Sequence, residues 1–326
     1  MSWLETRKII RVGEKSYAVT LPKKWVELLG IAPGDSVDVI FDKSGFICIR
    51  PRKVEVSKPI SPVIRLKARD CGNLIEKCIA GCYIEGHDVV SLESGPQDML
   101  ISTAPSKLPG LVVVEGEGNE VVIKIAISES IVGFDEVINR MVKVLEGMYG
   151  NVERLINTED PSIGYEVLKG DDELDRLFFL GLRLTKRSLM TKLMEKDIST
   201  ARELLDIALL LRSIEHVGDA LDRSVRILQN MDFRPVREEL LKLFKLSEKI
   251  VFDALYSYKR VNLRIISRIL EMRRELRRRI MSLRKEASLA LQGILNELDL
   301  IATIAEDIID ITISRYIRML EKKPSE

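Results

Sequence analysis

RSIEHVGDALD at residues 212–222 and LIATIAEDIID at residues 300–310 place Asp219 and Asp307, then Asp222 and Asp310, at one common offset of 88 residues. Apolar residues in both stretches recur at three and four, the period of a helix with one buried face. Glu215, Asp219 and Asp222 thus stand at i, i+4 and i+7 and project from a single stripe. A duplication of this length suits a repeat of three helices.

Working outward, stretches such as VINRMVKVLEGMYGNVERLI (137–156) keep the helical period, and strand signals vanish from Ser128 onward. The spacing predicts helices near 128–157, 162–194, 197–230, 234–260, 262–285 and 286–321, with the aspartates on the third helix of each set. Residues 128–322 are therefore expected to form an all-α pair of three-helix bundles, with repeats over about 128–230 and 231–322.

Upstream, segment 54–127 mixes a Pro-rich linker, a strand at VIRLKA, a helix around 70–83, a strand near HDVVSL and the hairpin LVVVEGEGNEVVIKIAI. This reads as a small α+β connecting domain. Residues 5–53 read as a compact, mostly β module of strand, turn, short helix, turn and hairpin. Pro22 suits the first helical turn and Gly30 the left-handed position past its end. Pro33-Gly34 suits a type II turn, and Asp42 to Gly45 the turn between the last two strands.

With 326 residues, 46% of them apolar and 31% charged, the chain has enough hydrophobic mass for packed cores in more than one domain. Its longest apolar runs, such as LLDIALLL at 204–211, are broken by an acid and fall well short of the ~20 residues that span a bilayer. No transmembrane helix and no secretory leader is expected, so the protein is expected in the cytoplasm. Four cysteines in so long a chain do not make a disulfide framework there. Cys78 and Cys82 lie one helical turn apart, near Cys71. They read either as small buried side chains or as two sulfurs of an incomplete metal site.

Charge is balanced overall, 51 Lys and Arg against 50 Asp and Glu, but basic residues crowd the N-terminal module and segment 259–285. In KRVNLRIISRILEMRRELRRRIMSLRK, Ile265, Ile269, Met272, Leu276 and Ile280 keep helical spacing. That segment reads as a core helix with a solvated outer face, or as a cationic surface for a membrane, a nucleic acid or an acidic partner. Arg7, Lys8, Arg11, Lys15, Lys23 and Lys24 cluster in the first two strands and at the helix start, where exposed cations would contact phosphate. Glu5, Glu14 and Glu27 partly offset them, so charge alone also allows an ordinary solvated surface.

The stripe of Glu215, Asp219 and Asp222 would repel itself unless hard cations bind it, Arg212 and Arg226 neutralise it, or water solvates it. Asp307 and Asp310, with Glu306 nearby, form a second acidic stripe. His216 adjoins the first stripe as a nitrogen ligand or a simple hydrogen-bonding group. No glycine-rich phosphate loop, nucleophile elbow or H-E-x-x-H pair occurs, and two histidines leave little scope for imidazole acid–base work. A metalloenzyme reading would further require an open coordination position and a nearby acid or base.

KIIRVGEKSYAVTLPKKWVELLGIAPGDSVDVIF (8–41) resembles the AbrB/MazE/SpoVT family, in which V-T-L-P-K precedes L-G-I-x-x-G-D-x-V. The resemblance implies a swapped-hairpin dimer that grips DNA through Arg7, Lys8, Arg11, Lys15, Lys23 and Lys24. RSIEHVGDALDRSV, and more faintly LIATIAEDIID, resembles the E-x-x-x-D motifs of the PhoU phosphate-uptake regulators, as does the whole arrangement from about 128 to 320. That resemblance implies divalent or trivalent metal ions held by Glu215, Asp219, Asp307 and Asp310, with Asp222 and Glu306 as weaker additions. Thr303 stands where the second repeat would carry the counterpart of Glu215, and His216 replaces the usual basic residue, so the second site is expected to be weakened or missing.

Together these readings imply a phosphate-responsive transcriptional regulator, a homodimer through its N-terminal module, with a phosphate ABC transporter component as a further possible partner. The rival is a metal-dependent adaptor that acts on a transporter or signalling partner without touching DNA.

Overall fold

The computed structural model describes residues 5–28, 30–41, 47–51, 63–93, 107–115, 120–127, 132–194 and 197–321. The chain divides into two compact units, Met1–Ser61 and Pro62–Glu326.

The N-terminal unit is β-rich. Strands β1 (Ile9–Val12) and β2 (Ser16–Val19) form an antiparallel hairpin in which Ile9 pairs with Val19 and Arg11 with Tyr17. Gly13, at φ 75°, opens their three-residue turn in the left-handed conformation that favours glycine. Helix α1 (Lys23–Leu28) follows Pro22, and Gly30 at φ 61° ends it as its position in the sequence requires. The Asp35 amide donates to the Ala32 carbonyl at 3.0 Å across Pro33-Gly34, and Gly34 has φ 97°, closing the type II turn. A second antiparallel pair, β3 (Val37–Phe41) and β4 (Ile47–Pro51), completes the unit. The turn expected at Asp42–Gly45 lies outside the described residues.

The second unit begins with the connector. Strand β5 (Ile64–Lys67) runs through α2 (Ala68–Cys71), a 3₁₀ turn and α3 (Ile75–Ile84) into β6 (Val89–Glu93), which pairs with it in parallel. Strands β7 (Leu111–Glu115) and β8 (Glu120–Ile125) add an antiparallel hairpin, giving the order β5-β6-β8-β7. Period-2 alternation turns Val121, Ile123 and Ile125 inward, against Ile75, Ile79 and Tyr83 of α3.

Among the described residues six long helices follow: α4 (Phe134–Thr158), α5 (Ser162–Met194), α6 (Ile198–Leu228), α7 (Arg237–Arg260), α8 (Leu263–Arg284) and α9 (Leu289–Glu321). They form two consecutive three-helix sets over one continuous core, in which Met141, Leu145, Leu174, Leu210, Ile214, Leu221, Leu276, Leu298 and Ile308 are buried. Local chemistry sets the helix starts. The Glu136 carboxylate accepts from the Gly133 amide at 3.1 Å, Asp197 caps α6 through the Thr200 amide at 3.1 Å, and Asn262 caps α8.

The two sets are joined by antiparallel pairs. Charge pairs register α6 on α9: Arg202–Glu321 at 2.9 Å, Arg315–Glu203 at 3.1 Å, the buried pair Arg318–Asp206, and Arg223–Glu297 at 3.0 Å. Lys245–Glu153 at 2.7 Å and the Lys259–Asn139 hydrogen bond at 3.1 Å do the same for α7 on α4.

The connector sits on α5. Arg183 is fully buried, and its guanidinium donates to the carbonyls of Tyr83 at 2.9 Å and His87 at 2.8 Å and to the Asp88 carboxylate, while covering the Tyr83 ring. Arg187 reaches the Gly86 carbonyl and Asp88, both at 2.7 Å, and Lys186 pairs with Glu85. Gly86 is required twice over: its φ is 90°, and a Cβ there would meet the Arg187 side chain at 2.5 Å.

Replacing Arg183 with methionine keeps the bulk and removes the donors, and is expected to cost about 3 kcal/mol of docking. Native-state hydrogen exchange should accelerate in α3 and β6 while α6 stays protected. Equal acceleration in all three would show that connector and helices open as a single unit.

Candidate functional site

Where α5 crosses α6, two rows of acids meet. Helix α6 presents Glu215, Asp219 and Asp222, and helix α5 presents Asp171, Asp172 and Asp175. Gly218 makes this crossing close, since a Cβ there would meet the Leu174 side chain at 2.3 Å and the Asp171 carboxylate at 3.7 Å. Glu215 and Asp222 are only 6% and 8% exposed, and Asp219 is half-buried.

Cations reach this cluster unevenly. Arg212 pairs with Glu215 at 3.2 Å, Arg223 with Asp219 at 3.3 Å and Arg226 with Asp222 at 2.7 Å. Lys107, from the connector just before β7, pairs with Asp172 at 3.0 Å and with Asp175. Among the described residues three buried carboxylate oxygens still have no hydrogen-bond partner: Asp171 Oδ1, Glu215 Oε2 and Asp222 Oδ1.

The electrostatics follow. Burial, reinforced by Asp222, Asp175 and Asp219 and opposed by Lys107, pushes the Asp171 carboxyl up to about 7. Burial likewise pushes Glu215 up to about 7, against the pull of Arg212 and with the repulsion of Asp219, Asp175 and Asp171. His216 Nε2 lies 3.7 Å from Glu215 Oε2, and burial and Arg212 lower its basicity. These orphaned oxygens suit a hard cation by their chemistry. Even so, among the described residues no three His, Cys, Asp or Glu side chains already converge on one point that could hold a metal ion.

The second repeat is built differently. Glu306 is taken by Arg273 of α8 at 2.6 Å, and Asp307 and Asp310 are exposed. Thr303 bonds back to the Asp299 carbonyl of its own helix at 3.0 Å. The structure thus brings Glu215, Asp219 and Asp222 together with acids of α5, and gives Glu306 an arginine instead. On α8, Ile269, Leu276 and Ile280 are buried and Ile265 and Met272 half-buried. Several of its arginines are engaged, as in Arg268–Asp253 at 2.9 Å and Arg279–Glu239 at 3.2 Å. Cys71, Cys78 and Cys82 are free, half-buried thiols; burial first, then Cys78, pushes the Cys71 thiol up to about 11.

The N-terminal cations are all exposed. Arg7 pairs with Glu5, Arg11 folds back on the Gly13 and Glu14 carbonyls at 3.2 and 3.4 Å, and Lys23 lies 3.7 Å from Glu27. Lys8, Lys15 and Lys24 lie just before β1, in the turn to β2 and in α1.

Residues 138–228 match the family model of the PhoU domain, and residues 10–56 match that of MazE, described as antidote-toxin recognition, bacterial antitoxin. The chain carries a PhoU domain behind a MazE-like head. The PhoU match covers the first three-helix set, whose acids are the ones that cluster. Both families are regulatory rather than catalytic. Comparison with curated proteins finds no match.

Sequence reasoning missed Asp171, Asp175 and Lys107. A signal existed for the first two: GDDELD (170–175) sets Asp171 and Asp175 at i, i+4 directly after a helical glycine, as Gly218 precedes Asp219. Lys107 had none, because it meets Asp175 across 68 residues.

An acid whose folded-state pKa stands above its unfolded value binds protons on folding between the two, so it favours the fold at low pH and withdraws that contribution as pH rises toward the folded value. With Asp171 and Glu215 both raised, the Tm without added divalent cation should fall from about pH 5 to about pH 8. Glu215→Gln should make the fall shallower. A Tm that rises over this range in the unsubstituted chain would contradict the charge crowding.

Proposed function

We propose that this chain is a phosphate-responsive regulator that binds DNA as a homodimer through its MazE-like head and a divalent or trivalent cation through the acidic α5–α6 face of its PhoU domain. The observation that carries the reading is the joining of these two families in one chain: an exposed, cation-bearing hairpin and a helical domain with three buried carboxylate oxygens left without partners.

The β1–β2 hairpin supports dimerisation. Every residue of both strands is exposed, with Ile9 at 72% and Tyr17 at 73%. An isolated two-stranded hairpin is at best marginally stable in water, and an apolar one gains most from pairing with a second copy. Pairing would set the cations of two chains side by side, where Arg7, Lys8, Arg11, Lys15, Lys23 and Lys24 could follow a phosphate backbone.

At the cation site, Glu215, Asp219, Asp222, Asp171 and Asp175 are the side chains that would hold the ion. A bound ion supplies the positive charge that the buried oxygens lack. Glu306, Asp307 and Asp310 do not fit a second site as well, because Arg273 already neutralises Glu306. Among the described residues no helix is long and apolar enough to cross a membrane. A cytoplasmic location, and action on a phosphate ABC transporter component, belong to the same proposal.

DNA from upstream of the chain's own gene, titrated at several salt concentrations, tests the reading. The full chain should bind with log K falling linearly with log salt, and removal of residues 1–53 should abolish this. Lys8→Ala and Arg11→Ala should each weaken binding across sequences and reduce the salt slope by about 1. Equal behaviour of the full and shortened chains would instead make the head a dimerisation device, and the chain a metal-dependent adaptor.

A further inference from the structure

The connector holds α5 at two places of different character. One is the Arg183 clamp, fully buried and donating to two carbonyls and a carboxylate. The other is Lys107, whose side chain is 40% exposed and which touches the helices through Asp172 and Asp175. Arg183 stands eight positions after Asp175 on the helix, roughly 12 Å along the axis. The two contacts thus lie about two turns apart on one helix.

The chain directly after Lys107 has a set shape. Leu108 beside it is buried in the connector core, the Leu111 amide reaches back to the Leu108 carbonyl, and the Ala126 amide donates to the Gly110 carbonyl at 2.8 Å. Gly110 has φ 71°, and a Cβ there would meet the Ile127 side chain at 2.6 Å, so this corner of the sheet has a set shape. The ammonium is thus presented to α5 by the β7–β8 end of the connector.

The carboxylates it meets belong to the cluster whose other members keep three partnerless buried oxygens among the described residues, and among those residues Lys107 is the one cation there that the helices do not supply themselves. A metal ion among these acids and an ammonium on Asp172 and Asp175 would be like charges sharing one set of counter-charges, and each weakens the other's hold.

Resting on the cation-binding reading above, we infer that Lys107 is the connector's resident cation on the α5–α6 acidic face: a divalent metal ion competes with it for Asp175, and metal binding releases the β7–β8 end of the connector from α5. Because the coupling is reciprocal, whatever pulls the connector away from α5 tightens metal binding by the same factor. The connector, which lies between the MazE-like head and the PhoU domain in the chain, thereby reports occupancy of the acidic face.

The full-length chain is titrated with Mn²⁺ by calorimetry, with hydrogen exchange of residues 107–115 and 120–127 followed in parallel. Lys107→Met, at a half-exposed position, should bind Mn²⁺ roughly tenfold tighter than the unsubstituted chain. Mn²⁺ should speed exchange at 107–115 in the unsubstituted chain. In Lys107→Met, exchange there should already be fast and insensitive to the ion, and Lys107→Arg should behave like the unsubstituted chain. Equal affinities with and without Lys107, or exchange at 107–115 unchanged by Mn²⁺, overturn the competition alone, provided that binding disappears in the Glu215→Gln, Asp219→Asn double variant. Absence of Mn²⁺ binding in every chain, or binding that survives the double variant, overturns the cation-site reading and this inference with it.

Discussion

A carboxylate taken out of water keeps its charge only if donors or cations follow it in. At the α5–α6 crossing they do so incompletely. Gly218 lets the helices approach until Asp171 lies against α6, Glu215 and Asp222 are buried by the same approach, and the arginines of α6 satisfy one oxygen of each α6 acid. The result is a helical core with an acidic seam along the α5–α6 crossing. Lys107 is drawn in from the connector, and two carboxyls are held near neutrality in their titration.

The same helices show how that seam can be dispensed with. Helix α9 repeats the spacing of α6 at 88 residues, yet α8 offers arginine where α5 offers aspartate, and Glu306 is satisfied by Arg273. With Thr303 in place of the glutamate, the second set has, among the described residues, no buried carboxylate oxygen left without a partner. The two sets are alike as packing units and unlike as electrostatic ones. The α6–α9 ladder, which includes the buried pair of Arg318 and Asp206, locks them in antiparallel register, and at one rung Arg223 bridges Glu297 of α9 to Asp219 of the α6 stripe.

Much of this architecture was legible because it is written in short periods. Gly30 and Pro33-Gly34 each demand one backbone conformation, and each has it. The six helices lie within a few residues of the expected ends, since apolar spacing of three and four specifies a helix wherever it is sustained. The expected start near 128 falls on residues outside those described, and α4 begins at Phe134 after Gly133. The α6 half of the acidic cluster was equally readable, because i, i+4 and i+7 is a local relation.

What the sequence by itself determined is therefore everything that depends on neighbours within about two turns: strand alternation, caps, turns, helix faces and the stripe of Glu215, Asp219 and Asp222. Tertiary structure alone decided which charges share a space. Asp171 and Asp175 joined that stripe because α5 packs beside it, and Glu306 left the second one because α8 brings Arg273. Lys107 reached Asp175 across 68 residues because a folded sheet carried it there. Periodicity encodes the face a residue occupies, whereas the partner across that face is set by packing between segments distant in the chain, for which a single sequence carries no period to read.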